Sequence, residues 1–341
     1  MALTDWNTLH GDHFRGAACV VTGGAGFIGS HLTDALLGLG ASVTVLDDLS
    51  GGDPVNLEDA RSQHADRLRF VEGDIQDRTA VEDAVAGARY VFHQAAWGSV
   101  PRSVEMPERY HGINVTGTLH VLEAAKSAGA KRVVFAASSS CYGDTPTLPK
   151  VETMPVRPRS PYAANKVACE AMMRGWACSY GAVTGRGDFD TVALRYFNIF
   201  GPRQNSNSAY AAVIAAFAAA LLDGRPPVIF GDGEQSRDFT FVDNAVHANL
   251  LAARSPDALG GEAMNIACGR RVTINELAQH MAGLLGRPDL KPEHRDERAG
   301  DVKHSLADLG LAKDRIGYTP QVAFEDGLTE TVAWYRDQHS G

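Results

Sequence analysis

The chain has 341 residues, 44% hydrophobic and 21% charged, an ordinary globular composition that excludes disorder, collagen-like repeats and coiled coil. Its 32 lysines and arginines against 41 acids leave a net charge of -9, so neither nucleic acid nor an anionic membrane is an expected partner. The length exceeds the usual single-domain range and implies one large domain with a smaller one attached, or two domains.

From the start, "MALTDWNTLHGDHF" carries Asp5, Asp12 and His13 where a signal peptide would need an apolar run, which predicts a soluble cytoplasmic protein. His10 and His13 have no partner cluster and read as solvated surface residues, and no metal site is expected. Short β-type runs then alternate with helical patterns: "AACVVT", a helix from Phe27 to about Leu39, "SVTVLD", a helix near Asn56 to His64, and "LRFVEGD". "ARYVFHQA", a long helical stretch to Ala128, "KRVVFAASSS", a helix around Tyr162 to Tyr180 and "DTVALRYFN" continue the alternation. This order predicts an α/β fold with a doubly wound parallel sheet of at least six strands.

After Phe200 the clusters "GPRQNSNSAY" and "DGRPPVIFGDGEQSRD" read as loops. "FTFVDNAVHANLLAA" and "AMNIACG" predict one more helix and strand returning to the sheet. The alanine-rich run Ala209 to Gly224 is too short to span a bilayer and predicts a buried helix. The expected division is a Rossmann-type domain over residues 1–200 and about 236–270. Residues 201–235 and 271–341 would form a smaller, discontinuous α/β lobe, with "KPEHRDERAGDVKH" as its charged loop. Five scattered cysteines without a C-x-x-C pair fit reduced thiols, and Cys141 has no neighbour in sequence placed to activate it.

Two local patterns carry chemistry. In "TGGAGFIG", Gly23, Gly26 and Gly29 lie between a strand and a helix, where glycines let backbone N–H groups approach a pyrophosphate at a helix N-terminus. Asp47 ends the second strand 18 residues beyond Gly29, near the offset of a carboxylate that binds the adenosine ribose; it favours NAD over NADP. Asp48 is a rival for that role. Asp74 at the end of the third strand either faces the adenine or caps its loop. Tyr162 and Lys166 are the second pattern. They share a helix face at i and i+4, with Ser160 as cap and Pro161 in the first turn, so the ammonium can lower the phenol's pKa. A serine-rich strand end, "AASSSCYG", precedes Tyr162. Trp97, beside the same crevice, reads equally as packing or as a sugar contact.

With these motifs the chain resembles the extended short-chain dehydrogenases/reductases, specifically the NAD-dependent nucleotide-sugar 4-epimerases. "HQAAWGSVPRS", "RYFNIFGPRQ", "GDGEQSRDF" and "GDVKHSLAD" are most similar to the branch that interconverts UDP-GlcNAc and UDP-GalNAc, sometimes also their uronic acid forms. The resemblance implies Ser138 and Tyr162 as catalytic residues with Lys166 as tuner and ribose ligand. It places Gly23, Gly26, Phe27, Ile28, Gly29, Asp47, Asp74, Ile75, Ala95, Ala96 and Asn114 against NAD. Ser99, Ser139, Ser140, Asn198, Gln204, Arg237, Arg298, Asp301 and Ser305 would bind the UDP-sugar. Ser305 falls at a gate position, and Gly98 with Ser99 where glucose-restricted relatives carry bulkier residues; both imply room for an N-acetyl group. The loop "YGAVTGRGDFD" is longer than in close relatives. Relatives often dimerise through helices matching Met106–Ala128 and Tyr162–Tyr180, so a homodimer is expected.

The implied chemistry is removal of the C4 hydroxyl proton and C4 hydride, rotation of the 4-keto sugar, and hydride return to its other face. UDP-glucose and uronic acid substrates remain alternatives. A dehydratase or decarboxylase would want a carboxylate where Ser138 to Cys141 stand, and a non-catalytic NAD sensor would be expected to lack Tyr162 or Lys166.

Overall fold

The computed structural model describes residues 3–181, 184–205, 213–297 and 303–340. Strands β1 (Ala18–Thr22), β2 (Ser42–Asp47), β3 (Leu68–Glu72), β4 (Tyr90–His93), β5 (Arg132–Ser138), β6 (Asp190–Tyr196) and β7 (Ala263–Ile266) form one sheet. Their order is β7-β6-β5-β4-β1-β2-β3 and every pairing is parallel. The six expected strands and the returning seventh are all present.

Alternation along each strand builds two cores, because successive side chains point to opposite faces. Cys19, Val21, Val134 and Ala136 pack on one face with the helices Phe27–Gly38 and Val242–Arg254. Val20, Val133, Phe135 and Ala137 pack on the other with Arg78–Val85, Gly117–Ser127 and Pro161–Tyr180. A third core gathers Phe200, Ile214, Phe239, Phe241, Met281, Phe324 and Tyr335. Its buried residues come from separated stretches between Phe200 and Tyr335.

Several elements differ from the sequence expectation. The stretch ending at Ala128 is Val100–Glu105, Pro107–His111, a π-helical turn Gly112–Thr116 and then Gly117–Ser127. Pro107 cannot donate back to the preceding turn, so it opens a new helix instead of continuing the old one. The helix near Asn56 begins as a 3-10 turn, Pro54–Leu57, before Glu58–His64. In the charged loop, Glu293–Arg295 pairs in parallel with Val228–Phe230. The alanine-rich run forms the helix Val213–Leu222; residues 206–212 lie outside the described set. Among the described residues no helix is long and apolar enough to cross a membrane.

His10 is 3% exposed instead of solvated, and its Nε2 lies 3.1 Å from Nδ1 of His247. The short helix Trp6–His10, capped by Asp5, brings it there, and Thr4 Oγ1 donates to Asp243. A terminal segment escapes solvent when its apolar and neutral rings find a groove, which local sequence does not reveal. His13 stays exposed, with Nε2 near the Tyr90 hydroxyl. Cys141 is fully buried, and burial pushes its thiol up to about 12.

One buried contact orients the helix that carries Tyr162. Arg195 on β6 donates from Nε and Nη2 to both carboxylate oxygens of Glu170, at 3.0 and 2.8 Å, and from Nη1 to the Tyr142 hydroxyl. Such a bidentate pair satisfies both charges where water cannot reach them.

Candidate active site

Strand order reverses between β1 and β4, the switch point where doubly wound sheets hold ligands at the carboxyl ends of their strands. A crevice opens there, floored by the turn Gly23 to Gly29. A Cβ on Gly29 would lie 2.1 Å from the Gly23 carbonyl oxygen, and one on Gly23, at φ +71°, would lie 2.7 Å from the Ala95 nitrogen. Those two glycines let backbone meet backbone. Gly26 differs: a Cβ there would meet only Gly23 O at 3.2 Å, and Gly26 caps the Phe27–Gly38 helix with no side-chain acceptor. The first-turn N–H groups of that helix are therefore left to the crevice, as an incoming pyrophosphate requires. The residues present fit a dinucleotide.

Phe27, Ile28, Asp47, Asp48, Asp74, Ile75, Ala95, Ala96, Tyr162 and Lys166 line the same crevice. Asp47 is buried, accepting from the Ala25 and Leu49 amides at 2.9 Å each; burial raises its pKa, against those hydrogen bonds. Asp48 is exposed and accepts from Ser50 N and Oγ. Asp74 accepts from the amide and side chain of Gln76. Each acid thus caps a turn and borders the crevice at once. Asn114 is buried and does not line it: its amide binds both N and O of Trp97, holding in place the segment that contains Ala95 and Ala96.

Sequence reasoning missed Gly52, Gly73, Gln94 and Tyr196, which also line the crevice. Gly52 lies so close to Asp47 that a Cβ would stand 2.9 Å from Oδ1, and the pair Gly51-Gly52 was a readable signal. Gln94 and Tyr196 had none, since Tyr196 donates to Gln94 and accepts from Asn249 on a helix much later in the chain.

Ser138 ends β5, its Oγ accepts from the Ser140 amide at 3.2 Å, and its hydroxyl acts to lower the pKa of the Tyr162 phenol. Lys166 donates from Nζ to the Ala136 carbonyl at 2.7 Å and stands 6.0 Å from the Tyr162 ring centre. Burial lowers the Lys166 pKa to about 8. Tyr162 departs from expectation: burial raises its phenol, with the Ser138 hydroxyl opposing, so the lysine four residues on does not dominate. Its ammonium is spent on a backbone carbonyl. Ser139 and Ser140 form the 3-10 turn after β5, and Ser140 Oγ is a buried hydroxyl with no partner.

Asn198, Gln204 and Arg237 line a second pocket with Val228, Phe230, Phe239 and Ile274. Ser138 faces Tyr196 in the β5–β6 register, so Asn198 stands two residues past the serine's neighbour. Asn198 Nδ2 donates to Ser305 Oγ at 3.2 Å, and the Asp238 amide donates to the same hydroxyl. Gln204 donates to the Ile199 carbonyl, Arg237 to the carbonyls of Ser236 and Lys303. Ser99 caps the Val100–Glu105 helix beside Gly98, where a Cβ would meet nothing within 4 Å. Arg298 and Asp301 lie outside the described residues.

A parallel-sheet crevice floored by a glycine turn, with a tyrosine and lysine on the helix at one end, defines a dinucleotide-dependent enzyme of the Rossmann type. The profile of the NAD dependent epimerase/dehydratase family matches residues 19–267, and the chain belongs to that family and uses NAD. It is 41% identical over 321 residues to a UDP-glucose 4-epimerase of Mycolicibacterium smegmatis, covering 94% of this chain and 98% of that one. A solved UDP-N-acetylglucosamine 4-epimerase of Methanobrevibacter ruminantium, in complex with UDP-N-acetylmuramic acid, superposes with TM-score 0.88 at 43% identity, covering 95% and 99%. A Thermus thermophilus UDP-glucose 4-epimerase in complex with NAD superposes with TM-score 0.81 at 33% identity, covering 94% and 99%.

Proposed function

We propose that this enzyme interconverts UDP-N-acetylglucosamine and UDP-N-acetylgalactosamine by inverting C4. The coarser reading, NAD-dependent epimerisation of a UDP-sugar at C4, is supported by the epimerases it resembles. The finer one rests on the space around the sugar. On the resemblance Ser305 and Gly98 border the sugar; Ser305 is small, its hydroxyl is engaged by Asn198 and the Asp238 amide, and a Cβ on Gly98 would meet nothing within 4 Å.

In this reading Tyr162 Oη takes the proton of the C4 hydroxyl as a phenolate, a form that burial by itself opposes and that the Lys166 ammonium, together with the positive ring of NAD when bound, would favour, while the Ser138 hydroxyl beside it steadies both oxygens. The Lys166 ammonium holds its place through the Ala136 carbonyl and adds positive charge beside the phenol. NAD, when bound, supplies a site that accepts the C4 hydride and returns it. Asn198 and Arg237 hold the uridine diphosphate while the 4-keto sugar turns about its diphosphate link and offers its other face, so binding energy is spent on the part that stays still. On the resemblance alone, Arg298 and Asp301 join them. Asp47 binds the adenosine ribose and Asp74 borders the adenine. A dehydratase is disfavoured, since Ser138, Ser139, Ser140 and Cys141 offer no carboxylate at the end of β5.

The test is to incubate the purified protein and NAD separately with UDP-GlcNAc and UDP-glucose and follow the anomeric protons by NMR. UDP-GalNAc forming faster than UDP-galactose is the expected result. UDP-galactose alone would overturn the substrate assignment and leave the 4-epimerase chemistry; neither product, with uronic acid forms also inert, would overturn both.

A further inference from the structure

Trp97 is held by several contacts on the crevice rim, and neither the chemistry nor the substrate assignment uses it. Asn114 binds both its backbone groups, at 2.8 and 3.1 Å. Its ring meets Tyr110 edge-on at 5.4 Å and lies beneath the guanidinium groups of Arg102 and Arg109, 4.9 and 4.4 Å from the ring centre. Its Nε1 then donates to Ser50 Oγ at 3.2 Å, and Ser50 Oγ donates to Asp48 Oδ1 at 2.7 Å.

The position of this chain of bonds matters. In the sheet β1 lies between β4 and β2, so the segments after β4 and β2 stand on the two sides of the glycine turn that follows β1. Trp97 follows β4 and Ser50 follows β2, and both line the crevice. Their hydrogen bond joins one wall to the other. It sits at the solvent side, since Ser50 and Asp48 are exposed while Asp47, against the turn, is buried. The bond ends on a carboxylate, which strengthens both links of the relay. Core packing alone accounts for the Tyr110 and Asn114 contacts; it does not account for an indole N–H reaching a serine 47 residues away across a ligand crevice.

We infer that Trp97, Ser50 and Asp48 form a strap across the dinucleotide crevice that slows release of NAD. A reaction that returns its cofactor unchanged gains nothing from exchanging it, so a closure of this kind suits the proposed chemistry, on which the inference rests. Trp97 acts here as a retaining residue; it takes no part in the proton or hydride steps.

The experiment measures the rate of NAD dissociation from Trp97→Phe, Ser50→Ala and the double variant, by stopped-flow displacement and by the NAD remaining after gel filtration. Trp97→Phe keeps an aromatic ring and loses the N–H; Ser50→Ala removes the acceptor. Each is expected to speed NAD dissociation about threefold to tenfold, the worth of one hydrogen bond in the barrier to opening, and to leave less NAD on the column-purified protein. The double variant should release NAD no faster than either single one, because both remove the same bond. An unchanged dissociation rate and unchanged retention in both single variants would overturn the strap, as would fully additive effects. Wild-type protein that fails to bind NAD would overturn the cofactor assignment itself, a different failure from one confined to the variants.

Discussion

The cofactor crevice and the second pocket differ in how they are made. The crevice is mostly backbone, a turn in which Gly29 lets the helix rest on the Gly23 carbonyl, with acids that cap the loops they border. The pocket is lined by Asn198, Gln204 and Arg237 among apolar side chains such as Val228, Phe230 and Ile274, and its polar groups are held by carbonyls or, for Asn198, by the Ser305 hydroxyl. Backbone cradles tolerate little change and recognise what all substrates share. Side-chain pockets can be rebuilt one residue at a time.

The largest expected effect lies at Tyr162, on the wall of the crevice. Tyr162→Phe should lower kcat by about a thousandfold through loss of a general base, with NAD binding intact by calorimetry. Gly29→Ala should weaken NAD binding at least about tenfold and destabilise the fold by roughly 1–3 kcal/mol in urea titrations, because two backbone segments would have to part. Wild-type NAD affinity in that variant would break the contrast. Ser305→Tyr sharpens it from the other side: kcat/KM for UDP-GlcNAc should fall about tenfold to a hundredfold while UDP-glucose is largely spared, and NAD affinity should not move.

The smallest effect concerns the N-terminal clasp, remote from both sites. Burial lowers the pKa of His10 to about 3 and of His247 to about 4, both from 6.5. Folded, the pair stays neutral where the unfolded chain would take up protons. The stability it contributes is complete above about pH 6.5 and is lost as pH falls toward 4. The protection of amides over residues 3–14, corrected for the intrinsic exchange rate at each pH, should therefore fall as pH is lowered from 6.5 to 4, and His10→Phe should flatten that dependence.

The glycine turn and the helix bearing Tyr162 and Lys166 were legible because each is a contiguous motif whose spacing fixes its own geometry. Strand alternation exposed the sheet for the same reason, since parallel strands buried on both faces read as apolar runs. The pKa of Tyr162 was not legible. The i, i+4 spacing puts a lysine on the right face, but the Ala136 carbonyl captures the ammonium and burial sets the phenol. Nor was Asn114: its place in the chain suggests the crevice, and its contacts put it behind Trp97.

Sequence by itself determined the parallel sheet, the dinucleotide turn and the Tyr–Lys helix, since hydrophobic period, glycine spacing and helix geometry act over a few residues. Only the tertiary structure decided that His10 is buried against His247, that Asn198 binds Ser305, and that Trp97 reaches Ser50 across the crevice. Those contacts join residues dozens to hundreds of positions apart, where packing and the competition for hydrogen-bond partners, not local preference, choose who meets whom.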